Sequence, residues 1–205
     1  LTYKVVNGKW NDETTANVVK VVTLKNAAGE DAMDGNATVE VPGVGNKPND
    51  GYKAGAWDTT PATTVTKAND GAEYTYTYVI DQFAWTVNAQ YLDKNGNVIA
   101  SMGEELASGT NDFGTVIWTN SALDENTVKQ TQVKDNENYV YVSGIDKTKT
   151  VSSTGANNVI TITYALDTIG GGDDPNDPDD VPDMYQAMLT YKVVNGKWND
   201  ETTAN

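Results

Sequence analysis

Glu73-Tyr-Thr-Tyr-Thr-Tyr-Val79 alternates an aromatic ring with a threonine at every step. In an extended chain successive side chains point to opposite faces, so Tyr74, Tyr76 and Tyr78 share one face and Thr75 and Thr77 the other. A helix would scatter the three rings around its axis. The run is therefore predicted to be a strand with an aromatic face, and Tyr and Thr both suit a pleated, half-buried surface. Upstream of it, residues 2–6, 18–24 and 37–41 also read as strands, with Asn7-Gly8 as a hairpin turn and residues 26–34 as a loop. Pro42, Gly43, Gly45, Pro48 and Gly51 break regular structure. Residues 52–57 lead into a turn at Asp58-Thr-Thr-Pro61. Downstream, strands are expected at 85–92, 115–118, 139–142 and 159–164, with a hairpin at Asn95-Gly96 joining two strand ends over 91–99. Residues 103–114 read as a loop with a helical turn at 104–107. Residues 123–133 read as a short helix or an extended edge.

A second stretch sets the organisation. The seventeen residues Leu1-Thr-Tyr-Lys-Val-Val-Asn-Gly-Lys-Trp-Asn-Asp-Glu-Thr-Thr-Ala-Asn17 recur without a change at 189–205. Identity at that level points to tandem duplication: one unit of 188 residues followed by the opening of the next. The expected order is a β module at 1–82, a second at 83–168, an acidic Gly/Pro/Asp linker at 169–188, and the start of the next repeat at 189–205.

Composition narrows the function. The chain carries 29 acidic and 14 basic residues, a net charge of -15, and every basic residue is lysine. Such a chain repels a phosphate backbone and an anionic lipid surface, so neither nucleic acid nor membrane is an expected partner. There is no histidine and no cysteine, which removes disulfides, thiolate metal sites and the commonest nucleophile and base of catalysis. No nucleophile-elbow, zinc-protease or phosphate-loop motif is present. Adjacent carboxylates such as Glu104 and Glu105 are weak grounds for acid–base chemistry, and no catalytic residue is assigned: the chain is not expected to be an enzyme.

Three segments, Tyr3-Lys-Val-Val-Asn-Gly-Lys-Trp10, the 51–65 run GYKAGAWDTTPATTV and the strand at 74–79, together resemble the internalin B-repeat and related Gram-positive surface repeats. The opening AQYLDKNGNVIA (89–100) and the closing NNVITITYALD (157–167) of the second block are similar to the mucin-binding-protein (MucBP) repeat. Its middle departs from that pattern, with Asn138-Tyr-Val-Tyr141 where a Gly-Tyr segment is usual, and no binding residue is carried over. The resemblance implies a mainly β fold of two small β-grasp-like modules. It also implies an extracellular place on a bacterial cell surface, anchored elsewhere in a longer protein. The role it implies is a structural unit of an adhesin stalk or fibre, with neighbouring repeats as partners. Two alternatives stand beside it: a module binding glycans, mucin or a host protein, and a self-assembling filament subunit.

The linker offers the only candidate cofactor site. Asp173, Asp174, Asn176, Asp177, Asp179, Asp180 and Asp183 place many oxygens close together, and calcium takes six to eight of them. The run Asp180-Val-Pro-Asp-Met-Tyr-Gln186 resembles the ends of calcium-binding acidic repeats, with Asp180 or Val181 where that pattern has glycine. The alternative is a solvated spacer, stiffened by proline and extended by charge repulsion. The aromatics Trp10, Trp57, Trp85, Trp118, Tyr74, Tyr76 and Tyr78 are expected to be core rather than a sugar-stacking platform. Lys4, Lys20, Asn88 and Gln90 are candidates for internal crosslinks. Finally, Leu189, Tyr191, Val193 and Trp198 are expected to be held by strand pairing or by packing on the second module, or to add a strand to a neighbouring copy.

Overall fold

The computed structural model describes residues 1–118, 128–144, 149–170 and 176–200, with Trp118 described by its backbone alone. The fold is mainly β. Among the described residues the helical segments are single 3-10 turns, at Lys67–Asn69, Ala100–Met102, Gly155–Asn158 and Asp183–Tyr185, and no helix is long and apolar enough to cross a membrane. The chain divides into two compact units. The first comprises Leu1–Ala84, Thr110–Thr115 and Thr150–Asn157, and the second Trp85–Gly109, Val116–Lys149 and Asn158–Asn205.

Six strands precede the boundary at residue 84: β1 (Thr2–Val6), β2 (Val18–Val19), β3 (Ala37–Thr38), β4 (Tyr52–Trp57), β5 (Thr64–Val65) and β6 (Glu73–Ile80). The main sheet has the order β2-β1-β6-β4, and β3 and β5 form a separate ribbon. Strands β1 and β6 run parallel, with Tyr3 opposite Tyr74 and Val5 opposite Tyr76. The three tyrosines of β6 are buried, as the alternation predicts. Tyr3 stacks on Tyr74 at 5.5 Å, Trp57 meets Tyr76 edge-on at 5.5 Å, and Tyr76 meets Tyr78 edge-on at 5.0 Å. Edge-to-face and offset contacts of this kind are the favoured ring geometries.

Asn7-Gly8 is not a hairpin. Asn7 does take a positive φ of 60°, but Gly8 bridges to Pro48 and the chain runs on through buried Trp10 before β2 begins. The Trp10 indole donates to the Ala16 carbonyl at 2.9 Å. Burying the largest side chain of the segment, with its N–H satisfied, outweighs the turn preference of the dipeptide. Gly8 fits because a Cβ there would lie 2.3 Å from the Tyr78 ring. The Tyr78 hydroxyl in turn donates to the Lys9 carbonyl and accepts from the amides of Gly45 and Lys47.

The remaining strands are β7 (Gln82–Leu92), β8 (Glu104–Asp112), β9 (Val116–Trp118), β10 (Thr131–Lys134), β11 (Glu137–Ser143), β12 (Lys149–Thr150) and β13 (Val159–Leu166). The sheet of the second unit has the order β10-β11-β13-β7-β8, and β9 pairs with β12. Its centre is again a parallel pair, β7 with β13. In each unit the first long strand lies beside the last, with the chain's next strand outside the first. Tyr91 stacks on Tyr164 at 5.5 Å and meets Tyr139 edge-on at 5.0 Å, within a core that includes Val87, Ile160 and Ile162.

The loop expected at 103–114 is a strand for most of its length. Gly109 sits against the Trp85 indole, where a Cβ would come within 2.7 Å of the ring. Here a polar, glycine-containing run of weak strand preference is set by its partner β7, an override by tertiary context. The edge alternative for 123–133 holds at its described end, as β10; residues 119–127 lie outside the described residues, as does the Trp118 side chain. The Asn95-Gly96 turn forms, with Gly96 at a φ of 81° and the Asp93 carboxylate accepting from the amides of Asn95 and Asn97, but the expected hairpin closes through the single bridge of Leu92 with Val98 and no strand follows it before β8.

Candidate functional site

Strand β13 ends in Leu166, and the next residue, Asp167, is 1% exposed; Asp183, sixteen positions on in the acidic run, is 3% exposed. Burying a carboxylate is costly unless it is hydrogen-bonded, and both are. The Asp183 carboxylate accepts from the Thr168 amide at 2.8 Å, the Thr168 hydroxyl at 2.7 Å and the Ile169 amide at 3.0 Å. The Asp167 carboxylate accepts from the Asp179 amide at 3.3 Å and the Asp180 amide at 3.0 Å. Each aspartate thus grips the backbone beside the other. Asp167 is also held on its own amide, which donates to the Asn138 carbonyl.

Two further contacts close this clasp. The Gln186 side-chain amide donates to both oxygens of Asp179, at 3.1 and 2.9 Å. Asp180 adopts a left-handed backbone, φ 64°, a conformation that Asp tolerates better than most residues. It is one of the two positions, with Val181, at which the sequence pattern has glycine. Burial pushes the Asp167 carboxyl above the ordinary aspartate range; the two amides pull it down, and the nearby carboxylates of Asp179 and Asp180 push it up.

Residues 176–186 are therefore not an extended spacer. Charge repulsion favours extension only while the carboxylates are solvated and have no better partner. Backbone amides presented by 168–169 and 179–180 supply one. Of the calcium candidates, Asp173 and Asp174 lie outside the described residues. Asp183 and Asp179 spend their oxygens on protein donors, and Asp177 and Asp180 sit at the surface with Asn176. Among the described residues no group of three or more acidic, histidine or cysteine side chains converges to hold a metal ion.

The second copy of the opening segment follows directly. Its described part, 189–200, forms no strand. Leu189 is exposed and Tyr191 is 68% exposed, against 0% for Tyr3; Val193 and Trp198 are half-buried. The strand pairing expected for this segment within the chain is absent from 189–200, and residues 201–205 lie outside the described residues. One local feature does repeat: Asn195 has a φ of 58°, matching 60° at Asn7.

The other candidates fall into ordinary structural roles. Trp10 and the three β6 tyrosines are core; Trp57 and Trp85 are half-buried against the cores. Lys4 pairs with Glu73 at 2.7 Å on the surface, and Lys20 is half-buried beside Leu1. Gln90 donates to the Thr163 hydroxyl at 3.0 Å, an inter-strand hydrogen bond between β7 and β13. Sequence reasoning quoted Asp167 only as the end of the closing 157–167 run and missed its role. Its signal was available: an aspartate directly after a closing apolar strand, with backbone amides to satisfy it only if the acidic run folds back.

No family model matches the chain, and no curated protein matches it. Among solved structures, it is similar to the Streptococcal High Identity Repeats in Tandem (SHIRT) domains 3-4 from a cell surface protein. The sequence identity is 13%, the match covers 80% of this chain and 96% of that one, and the TM-score is 0.32. A TM-score that low carries no argument about role.

Proposed function

We propose that the chain is a structural repeat of a bacterial cell-surface protein, a segment of an adhesin stalk that carries a more distal part away from the cell. The observation that carries this reading is the unchanged return of residues 1–17 at 189–205, directly after a connector that two buried aspartates tie to the second unit. Of the rings that could have formed a sugar platform, Trp10, Tyr74, Tyr76 and Tyr78 are buried, and the chain has neither histidine nor cysteine. We read both units as β-grasp-like on the strength of their central parallel pairs. Stability in such an array is close to a sum of unit terms and nearest-neighbour terms.

The test is geometric. Arrays of one, two and three repeats, imaged by electron microscopy, should lengthen by a constant increment per repeat. Particles whose length fails to grow with repeat number would remove the stalk reading. A second reading, assembly through the 189–205 segment, is favoured by the exposure of Tyr191 in a sequence that elsewhere forms a central strand. Concentration-dependent growth in mass by light scattering would support it, and a monomer at all concentrations would end it.

A further inference from the structure

In the first unit Leu1 is paired with Lys20 in both directions: the Leu1 nitrogen donates to the Lys20 carbonyl at 3.1 Å and the Lys20 amide to the Leu1 carbonyl at 3.0 Å. The antiparallel register of β1 and β2 sets Tyr3 opposite Val18 and Thr2 opposite Val19. Each step back along β1 is thus a step forward along 18–22. The residue ahead of Leu1 faces Val21, and the one before that faces Val22. In this chain Val21 has no such partner: it is 92% exposed, and the Val22 amide makes no hydrogen bond to the described residues. Beside them lies an open groove of about 240 Å³, its apolar side formed by Leu1, Val21, Val22, Leu24 and Val65 and its polar side by Lys20 and the 66–70 turn.

The repeat identifies what covers this edge. Leu189 is the counterpart of Leu1, and the residues ahead of it are Ala187 and Met188. Met188 is itself 54% exposed here. We propose that residues 187–188 of one repeat continue strand β1 of the next, pairing antiparallel with Val21–Val22 and laying the Met188 side chain over Val21.

The alternation of antiparallel ladders fits this placement. Leu1 and Lys20 form a hydrogen-bonded pair, so the methionine and Val21 form a non-hydrogen-bonded one, in which side chains approach more closely. The following pair, alanine with Val22, is hydrogen-bonded again and satisfies the Val22 amide. Side chains alternate along β1, so the methionine shares the face of Thr2, Val19 and Val21 and the alanine shares that of Leu1. On the other side, Gln186 is already fastened to Asp179. Clasp and strand then follow without a free residue between them, and the joint between repeats is stiff rather than a tether.

This inference rests on the reading that repeats follow one another, but it has its own readout. The chain is prepared with Tyr-Gln-Ala-Met, the residues of 185–188, placed ahead of Leu1, and amide exchange at Val22 is compared with that of residues 1–205 alone. Pairing predicts exchange slowed about tenfold or more, as for a newly protected strand amide. Exchanging the methionine of the extension for aspartate should return Val22 toward its unprotected rate. Equal rates with and without the extension would overturn the pairing, and protection that survives the aspartate would overturn the role of Met188. Either failure would leave the stalk reading standing, since that reading is decided by array length.

Discussion

Asp167 and Asp183 hold each other's flanking backbone, with the carboxylate of Asp183 on the amides of 168–169 and that of Asp167 on the amides of 179–180. The arrangement turns a run of aspartates and prolines into an ordered end of the second unit. Asp183→Ala leaves two amides and a hydroxyl without their acceptor. The expected cost is about 2–4 kcal/mol, on the scale of charge-assisted bonds to buried donors. Thermal unfolding measures the cost, and limited proteolysis should show new cleavage within 176–188. An unchanged melting curve and cleavage pattern would mean that the clasp does not hold in solution.

Asp167 has a pH signature of defined sign. Its folded-state pKa is raised, so the folded chain binds its proton more readily than the unfolded chain does. Its contribution to stability is therefore full below the ordinary aspartate value and is lost as pH rises through the raised value. Relative to Asp167→Asn, the native chain should gain stability as pH falls from neutral toward about pH 4. Urea unfolding of both proteins across that range gives the difference. Asp58 and Asp93 act in the opposite sense. Backbone amides lower their pKa values, so their contributions are present above the ordinary value and fade as acid is added.

The two copies of the opening segment provide an internal control on burial. Tyr3→Ala removes a fully buried ring stacked on Tyr74 and should cost about 3–5 kcal/mol in the first unit. Tyr191→Ala, the same change in the same local sequence, should stay within about 0.5 kcal/mol. Melting curves of the two variants decide this, and equal destabilisation would show that Tyr191 is packed in solution.

Two buried tyrosine hydroxyls should respond oppositely to removal. The Tyr78 hydroxyl has three backbone partners, whereas the buried Tyr3 hydroxyl has none among the described residues. Tyr78→Phe should destabilise by about 1–3 kcal/mol, and Tyr3→Phe should be neutral or stabilising, since it deletes an unsatisfied buried polar atom. Chemical denaturation separates the two, and a loss of stability in Tyr3→Phe would reveal an ordered partner for its hydroxyl.

Gly55 marks the irregularity in the pairing of β4 with β6. A Cβ there would lie 1.8 Å from the Thr77 carbonyl oxygen, and a backbone oxygen in mid-sheet cannot give way as a flexible side chain can. Gly55→Ala should therefore cost more than about 2 kcal/mol and leave the core of the second unit folded. Tyr and Trp fluorescence with hydrogen exchange resolves the two units. A stable Gly55→Ala protein would mean that the bulge can re-register.

The strands whose side chains alternate cleanly were legible in the sequence: the Tyr/Thr run of β6 and the 159–164 run of β13 declare a buried face by period alone. Strand β8 was not. Its glutamates, serine and glycine have little strand preference, and its conformation comes from the neighbour it pairs with. The clasp was half legible. The aspartates were visible as a cluster, but their solvation could not be read from spacing, because it depends on which amides the fold brings to them. Asp167 stood only as the last residue of the closing 157–167 run, where nothing in the sequence marked it as a site.

The division between local and tertiary control is clearest in the segment that occurs twice. Asn7 and Asn195 both take the left-handed conformation, at 60° and 58°, because Asn tolerates it more readily than most residues. That much travels with the sequence. The strand does not. Thr2–Val6 is extended and paired on both sides, whereas the identical residues at 190–194 form no strand. A strand satisfies its backbone groups through a partner, and only the copy with β2 and β6 beside it has one.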